Sequence, residues 1–319
     1  MVPQTPQPLR RINHNLLEDH GASMQHCLFS VSYAGFWGQA SLDLPQFIRR
    51  AAQLGYSNVM LAGKRPQLSI LDTDERQLEL LVETLDNAGV ACPVIAAYID
   101  LGHAGAVEVP FLEMQIAYVE SLCRIGARLG ANVVRVFTAY ESDQLPFQGL
   151  WQRTVTAIQE MADRAQSFGV TIAVQNHHDL AVHTTALLEL LQDIDRSNCR
   201  LGFDAWSPAL RGEDLYEAAR IAAPHTVITT NADYVRLPRF RYCPAHVNYQ
   251  PAAPEYMRAV PFGAGCIDYA RFFRGLHDGG FNGVASYEMC SPLRGGGSLE
   301  NLDECARQYL RWMNEHKLD

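Results

Sequence analysis

The stretch LWQRTVTAIQEMADRAQSFGVTIAVQNHHD, residues 150–179, contains one complete unit of helix followed by strand. Its first part carries apolar side chains at helical spacing, and Gly169 stands where a helix that leads into a strand typically ends. Residues 170–176 then form a hydrophobic run with the length of a buried strand. The run ends on amides, two imidazoles and a carboxylate, which predicts that this strand opens onto a polar site.

The same alternation of strand and helix occurs eight times along the chain. The strand candidates are residues 28–33, 58–63, 93–99, 132–140, 170–176, 199–204, 225–231 and 283–288. Eight such units require parallel strands with helices outside, and the closed arrangement for that number is the (β/α)8 TIM barrel. The alternative is an open doubly wound sheet, which is disfavoured because no GxGxxG motif follows the first strand.

The pattern indicates a single domain without an internal linker. We interpret residues 1–25 as an N-terminal tail and residues 26–319 as the barrel. One long stretch, residues 234–266, has no clear helix or strand pattern and is rich in Pro, Arg and Tyr. It follows the seventh strand, on the face where barrel enzymes bind their substrates. We therefore expect it to be an irregular active-site loop or lid.

Composition excludes several classes of partner. The 319 residues are 48% hydrophobic and carry a formal charge of -9, which argues against nucleic acid and for a small polar substrate. Eight cysteines without paired CxxC spacing favour reduced thiols and a cytoplasmic location. No signal-peptide pattern and no run of about 18 apolar residues occurs, so no membrane association is predicted.

Polar side chains cluster at the C-terminal ends of the predicted strands, which form the catalytic face of a barrel. Alternation along each strand separates side chains that face the barrel axis from those that face the helices. This places His177 inward and His178 outward, and Arg135 is interpreted as a structural cation inside the barrel. The predicted inward set is Lys64, Glu141, Gln175, His177, Asp204, Asn231 and Glu288.

Several motifs resemble those of a known family. The segments GVTIAVQNHH at 169–178, CRLGFDAW at 199–206 and PFGAGCIDYARFFRGLHDGGFNGVASYE at 261–288 resemble the sugar phosphate isomerase/epimerase family of xylose isomerase-like barrels. That family includes ketose 3-epimerases, inosose isomerases and dehydratases, and 3-dehydroshikimate dehydratases. The resemblance implies a divalent metal held by Glu, Asp, His and Glu from strands five to eight. Asp204 and Glu288 match the second and fourth of these ligands.

The other two ligand positions depart from the family pattern. Gln175 stands in place of the first glutamate, and Thr230 or Asn231 stands in place of the histidine. Asn231 is the preferred candidate because an amide oxygen binds a hard divalent ion better than a threonine hydroxyl does. Two carboxylates and two amide oxygens would suit Mn or Mg better than Co or Zn.

The glutamine also bears on the predicted mechanism. In the family's epimerases two glutamates on opposite faces of the substrate exchange a proton next to the ketone, and a glutamine cannot accept that proton. The sequence therefore favours Glu288 as the single carboxylate base, with His177 as a second acid or base of near-neutral pKa. The substrate-binding candidates are Lys64, Tyr98, Glu141, Trp206 and Arg236. Lys64 and Arg236 are also consistent with solvated cations at the rim.

The function predicted from the sequence is a metal-dependent sugar isomerase or epimerase that acts on a keto-sugar or polyol ketone. The first alternative is a lyase that eliminates water or another group from an inosose, a 3-keto-glycoside or a dehydroshikimate-like compound. The second is a catalytically silent barrel that serves as a binding or partner subunit. The resemblance further implies a homo-oligomer, either a dimer or a tetramer.

Overall fold

The computed structural model describes residues 24–103 and 108–318, so the predicted N-terminal tail lies almost entirely outside the described residues. The strands are β1 Gln25–Phe29, β2 Asn58–Ala62, β3 Ala91–Ala96, β4 Val133–Val136, β5 Thr171–Gln175, β6 Cys199–Gly202, β7 Thr226–Asn231, β8 Asp233–Cys243, β9 Asn248–Val260 and β10 Val284–Tyr287. Eight of them form a closed parallel barrel in the order β1-β10-β7-β6-β5-β4-β3-β2. The predicted (β/α)8 fold is confirmed.

Helices surround the barrel, and several of them begin at a capping side chain or end at a glycine. They are α1 Leu44–Leu54, α2 Glu75–Ala88, α3 Phe111–Leu129, α4 Phe147–Gln166, α5 Thr184–Ile194, α6 Trp206–Arg211, α7 Leu215–Ala222, α8 Tyr269–Asp278 and α9 Leu299–Glu315. In α1, Asp43 and Gln46 form a reciprocal capping box, and Gly55 ends the helix at a φ of 95°. Within the described residues, no helix combines the length and hydropathy needed to cross a bilayer.

The first strand differs from its predicted bounds. It covers Gln25–Phe29, and the following Ser30–Tyr33 segment forms a turn of 3-10 helix. Serine side chains here take the place of backbone partners: Ser30 Oγ accepts from the Ala62 N–H at 2.9 Å, and Ser32 Oγ accepts from the Met289 N–H at 2.9 Å. The hydrophobic pattern continues past Phe29 and therefore predicted a longer strand. After Phe29 the serine side chains, and not the strand backbone, accept the hydrogen bonds of the neighbouring N–H groups, so the strand ends there.

Apolar side chains fill the interior of the barrel below its C-terminal mouth. The buried cluster inside the strands comprises Cys27, Phe29, Val31, Met60, Ala62, Val94, Ala96, Val133, Ala173, Ile228 and Val284. Along β5, Ala173 belongs to this layer, and Gln175 follows two residues later on the same face. The polar residues of the site therefore rest on a packed floor.

The predicted irregular loop at residues 234–266 is instead largely a β-hairpin. β8 and β9 pair antiparallel from Asp233 opposite Val260 to Cys243 opposite Asn248. Most of the hairpin is exposed to solvent on both strands. Its sequence consequently lacks the alternation of apolar and polar residues that predicts a strand, so the pairing has no signal in the sequence pattern.

Asp233 anchors the base of this hairpin. Its carboxylate accepts from the backbone N–H groups of Tyr234 (2.9 Å), Gly263 (3.0 Å), Gly265 (2.8 Å) and Ile267 (3.5 Å). Burial raises the pKa of Asp233, and the four backbone donors oppose that rise. A Cβ atom on Gly265 would lie 1.9 Å from Asp233 Oδ1, so only glycine fits there. The carboxylate thus ties the hairpin to the loop that leads into α8.

We expect Asp233→Ala to lower the free energy of unfolding by about 3 kcal/mol, because several buried N–H groups lose a charged acceptor. Chemical denaturation followed by circular dichroism measures this change. Asp268→Ala is the matched control: Asp268 caps α8 through the Arg271 N–H alone, and its loss is expected to cost about 1 kcal/mol. Equal losses from the two variants would contradict the anchoring role.

Candidate active site

A cavity of about 580 Å³ opens at the C-terminal ends of the barrel strands. It lies within the usual size range of small-molecule sites, about 300 to 1,000 Å³. Parallel strands place their C-terminal ends on one face, so residues distant in sequence meet there. The predicted site residues that line the cavity are Lys64, Tyr98, Gln175, His177, Asp204, Trp206 and Glu288.

Gln175, Asp204 and Thr230 are hydrogen bonded to one another in the wall of the cavity. Asp204 Oδ1 accepts from the backbone N–H of Thr230 at 2.8 Å, and Oδ2 accepts from the Thr230 hydroxyl at 2.6 Å. Gln175 Nε2 donates to Asp204 Oδ2 and to Thr230 Oγ1, the latter at 3.1 Å. Burial raises the pKa of Asp204, although these donors oppose the rise. Gln175 Oε1 is buried and has no hydrogen-bond partner.

The structure corrects our choice between Thr230 and Asn231. Thr230 lines the cavity, whereas the Asn231 side chain lies on the other side of β7. There Asn231 Nδ2 donates to the Ser286 carbonyl at 3.2 Å, and Thr229 Oγ1 donates to Asn231 Oδ1 at 3.1 Å. Strand parity is the physical reason: Ile228 belongs to the interior layer, so Thr230 faces inward and Asn231 does not.

Glu288 stands immediately after β10 and lines the cavity. Burial, together with the nearby charge of Asp204, raises the pKa of Glu288 to about 7. The Cys290 thiol, which is hydrogen bonded to Glu288, and the positive charge of Arg135 oppose this rise. A general base is most effective when its pKa lies near the working pH, so Glu288 is the strongest candidate for that role.

Two cations face the same cavity. Arg135 is 2% exposed, its Nη1 donates to the Ala97 carbonyl at 2.9 Å, and its guanidinium carbon lies 4.0 Å from the centre of the Phe137 ring. The backbone contact agrees with our structural interpretation of Arg135, but its place in the cavity was not predicted. Lys64 Nζ lies 3.7 Å from the centre of the Tyr98 ring. Burial lowers the pKa of Lys64, as does the positive charge of Arg135.

His177 and His178 both line the cavity, although alternation predicted that His178 would face the helices. His178 has a φ of 70°, which breaks the strand alternation just beyond β5. Burial lowers the pKa of His177 to about 3, with smaller effects from His178 and Arg135. His177 is therefore neutral at physiological pH and too weakly basic to be the second acid or base that we predicted.

Two predicted substrate-binding residues do not line the cavity. Glu141 is exposed at the rim, where its backbone N–H donates to Asp179 Oδ2 at 3.0 Å. Arg236 is exposed on β8, opposite Met257 in the hairpin. Both residues lie beyond the point where the chain leaves its barrel strand, which is why they do not reach the cavity.

Aromatic side chains form much of the cavity wall. Trp206 packs against Tyr234 with ring centres 4.0 Å apart, and Tyr140 stacks on His178 at 3.9 Å. Tyr234 and Met257 come from the base of the hairpin, so the β8–β9 segment contributes to the site from its anchored end. The sequence did not predict Tyr234 and Met257 in this wall, because it does not show the path of the hairpin. The wall suits the apolar faces of a sugar or cyclic polyol.

The residues present do not fit the divalent cation that the resemblance implies. Both oxygens of Asp204 already accept hydrogen bonds, and the Gln175 side chain presents its NH2 group to Asp204. Hard divalent cations take about six oxygen ligands, some of them from water. At the four positions of the family ligands, only Gln175 Oε1 and the Glu288 carboxylate present oxygens that the hydrogen bonds among Gln175, Asp204 and Thr230 do not engage. In the part of the chain that the structure describes, no group of three or more His, Cys, Asp or Glu residues is arranged to hold a metal ion.

The chain forms a closed (β/α)8 barrel with acidic residues at its C-terminal mouth. Residues 48–316 match the sequence profile described as xylose isomerase-like TIM barrel, and the chain belongs to this family.

Individual proteins that resemble this chain share a low sequence identity with it. The chain is 25% identical over 143 residues to an inosose dehydratase of Lacticaseibacillus casei, an alignment that covers 42% of this chain and 45% of that relative. The chain therefore spans less than half the length of this curated relative. A D-allulose 3-epimerase from Methylomonas sp., solved with D-allulose, superposes with a TM-score of 0.69 at 15% identity, covering 92% of this chain and 98% of that chain. The probable 3-DHS dehydratase AsbF of Bacillus anthracis superposes with a TM-score of 0.69 at 15% identity, covering 91% and 99% respectively.

Proposed function

We propose that this protein removes a proton from the carbon next to the carbonyl of a keto-sugar or polyol ketone, and that Glu288 is the base. The observation that carries the proposal is the pKa of Glu288, which burial and Asp204 raise to about 7 inside a cavity of substrate size. The primary outcome is isomerisation, in which the proton returns to the neighbouring carbon.

A single base is consistent with the rest of the cavity. Gln175 cannot accept a proton, and His177 is kept neutral by its low pKa. Epimerisation with two opposed bases is therefore less well supported than a transfer in which Glu288 both removes and returns the proton. The aromatic wall of Trp206, Tyr234 and Tyr140 would hold the substrate ring, and a small carbohydrate is the expected partner. Cytoplasmic location and homo-oligomer formation stay predictions.

The proposal is tested by incubating the enzyme with a panel of ketoses and inososes in D2O. Proton NMR would detect deuterium incorporation at the carbon next to the carbonyl, which reports proton removal whether or not a product accumulates. We expect exchange with at least one compound. If no compound in the panel exchanges, the proposal is contradicted and the silent binding barrel becomes the favoured function.

Elimination of water is the second candidate, and the similarity to an inosose dehydratase favours it. Both reactions begin with the same proton removal and differ only in the fate of the enolate. Loss of a hydroxyl group one carbon further on would give an unsaturated ketone that absorbs in the ultraviolet. Absorbance that grows together with deuterium exchange would assign the protein as a dehydratase, and exchange together with the NMR signals of a rearranged sugar would assign it as an isomerase.

We expect kcat/KM to rise with pH and to level off above an apparent pKa of about 7. The direction follows from the role of Glu288, because only its deprotonated form can act as a base. Below that pKa the rate should fall about tenfold per pH unit.

The charged and polar groups that influence the pKa of Glu288 are Asp204, Cys290 and Arg135. Asp204→Asn should move the midpoint of the pH profile to lower pH, because it removes a neighbouring negative charge. A rate that does not change between pH 5 and pH 8, a window of about one to two units on either side of the midpoint, would contradict the assignment.

A further inference from the structure

The hydrogen-bonded group of Gln175, Asp204 and Thr230 occupies positions that the resemblance assigns to three of the four metal ligands. Each of these side chains has a partner within the group. Asp204 also accepts from the Thr230 backbone N–H, so both of its carboxylate oxygens are engaged. The protein itself therefore supplies the contacts that a cation would supply to this carboxylate.

The chemistry of the substitutions points the same way. A glutamate would bring a second negative charge beside Asp204, which a cation would have to neutralise. Gln175 instead brings N–H donors, and these stabilise the Asp204 carboxylate directly. For a cation to bind there, Gln175 would have to turn its amide, so that its oxygen replaces the NH2 group that now contacts Asp204.

Positive charge is present elsewhere in the cavity. The Arg135 guanidinium is buried, its Nε atom has no hydrogen-bond partner, and it lies against the faces of the Phe137 and Tyr98 rings at 4.0 and 5.0 Å. The Lys64 ammonium group lies over the rings of Tyr98 and Phe36 at 3.7 and 4.6 Å. Across residues 24–103 and 108–318, neither cation forms an ion pair with a carboxylate.

A buried arginine with an unused donor is costly unless a partner compensates it. Arg135 reaches the cavity floor from β4, next to Gly202 of β6, where a Cβ atom would lie 3.6 Å from Arg135 Cγ and 3.5 Å from Gln175 Cβ. Arg135 and Gln175 therefore both lie beside Gly202. The arginine is thus held beside the Gln175–Asp204–Thr230 group and has donor capacity left for a substrate oxygen.

We infer that this site carries out its chemistry without a divalent cation, with Arg135 and Lys64 stabilising the negative charge that develops on the substrate oxygen. The inference rests on the proposed function. In the step concerned, the Glu288 carboxylate takes the proton, the C–H electron pair forms a carbon–carbon double bond, and the carbonyl π pair moves to oxygen. The resulting oxyanion lies beside the cations. For isomerisation, the proton of the hydroxyl group on the neighbouring carbon passes to this oxyanion while a new carbonyl forms there, and the proton on Glu288 is delivered to the former carbonyl carbon, which regenerates the Glu288 carboxylate. No further reactant is needed.

The decisive experiment measures Mn²⁺ binding and does not depend on activity. The purified protein is treated with EDTA, dialysed, and titrated with MnCl2 by calorimetry and by thermal melting. We expect no binding heat and no change in melting temperature for the wild type. One Mn²⁺ bound per chain with a rise in melting temperature would overturn the inference.

Variants test whether the hydrogen-bonded group is what excludes the cation. Gln175→Glu, alone and with Thr230→His, restores the ligand types of the family, and both are expected to gain Mn²⁺ binding together with a higher melting temperature in its presence. The single variant is nearly isosteric, so it keeps the test informative if the double variant does not fold. Gln144→Glu makes the same chemical change at an exposed position and should gain nothing. Failure of a folded Gln175→Glu protein to bind Mn²⁺ would contradict the role assigned to Gln175.

The D2O exchange assay, repeated in excess EDTA, separates this inference from the proposed function. Exchange that is unchanged by EDTA supports both. Exchange that is lost in EDTA and restored by Mn²⁺ overturns the inference and leaves the proposed function standing. Absence of exchange under all conditions overturns the proposed function, and with it the role of the two cations as oxyanion partners.

Discussion

Glu288→Gln is expected to lower the rate of deuterium exchange next to the substrate carbonyl by about 10²- to 10⁴-fold. The glutamine keeps the size of the side chain but cannot take up a proton, so only the catalytic step should suffer. The fold should remain intact, because the change replaces a carboxyl group whose charged form is disfavoured by burial with a neutral amide. The melting temperature of the variant should therefore be no lower than that of the wild type.

Glu141→Gln is the matched control, since it makes the same substitution at an exposed rim position outside the cavity. We expect its exchange rate to equal that of the wild type. Comparable rates for the wild type and Glu288→Gln would show that another group removes the proton. A large loss in Glu141→Gln would show that the rim belongs to the site after all.

Arg135→Met is expected to lower kcat by about 10²- to 10³-fold while KM changes much less, because the guanidinium is proposed to act on charge that develops only in the transition state. Methionine retains an unbranched apolar stem that packs against Phe137. Replacement of a buried charge by an apolar side chain of similar size is often neutral or stabilising, so the melting temperature should not fall. Steady-state kinetics with the substrate found in the exchange assay would measure the effect.

Two further variants complete the test of Arg135. Arg135→Lys keeps the positive charge but lacks the fork of donors, so it should recover part of the lost kcat. Arg236→Met removes an exposed arginine of the hairpin and should leave the kinetics unchanged. An increase in KM with no change in kcat for Arg135→Met would mean that the residue only binds the ground state of the substrate.

Much of the fold could be predicted because its signals are local. The eight strands and the helices between them each follow from a run of neighbouring side chains and from the residues that end it, such as Gly55 after α1. The hairpin at β8 and β9 could not be predicted in this way, because an exposed strand pair buries little and carries no apolar alternation. Its pairing depends on contacts between residues on two separate strands and on the anchor at Asp233.

The site was predictable to the extent that strand ends could be located. Asp204, Glu288 and Gln175 were expected to meet because parallel strands bring their C-terminal ends together, and they do line one cavity. Thr230 lies two residues after Ile228 on the same face of β7, and this face points into the barrel. Because β7 is buried on both faces, its sequence does not show which face is inward. The low pKa of His177 had no signal in the sequence.

The sequence by itself determined the barrel, the side of the barrel on which the site lies and two carboxylates that reach it, Asp204 and Glu288. These features depend on hydrophobic periodicity and on helix- and strand-ending residues, which act over a few neighbouring positions. Only the tertiary structure decided which polar groups pair with one another. In it Gln175 donates a hydrogen bond to Asp204, and the Nε donor of Arg135 has no partner. The pKa of Glu288 is raised because its carboxyl group is buried next to Asp204. Hydrogen bonding, burial and Coulomb interaction act through space between strands far apart in the chain, and these decide whether a cation or the protein's own donors balance the charge at this site.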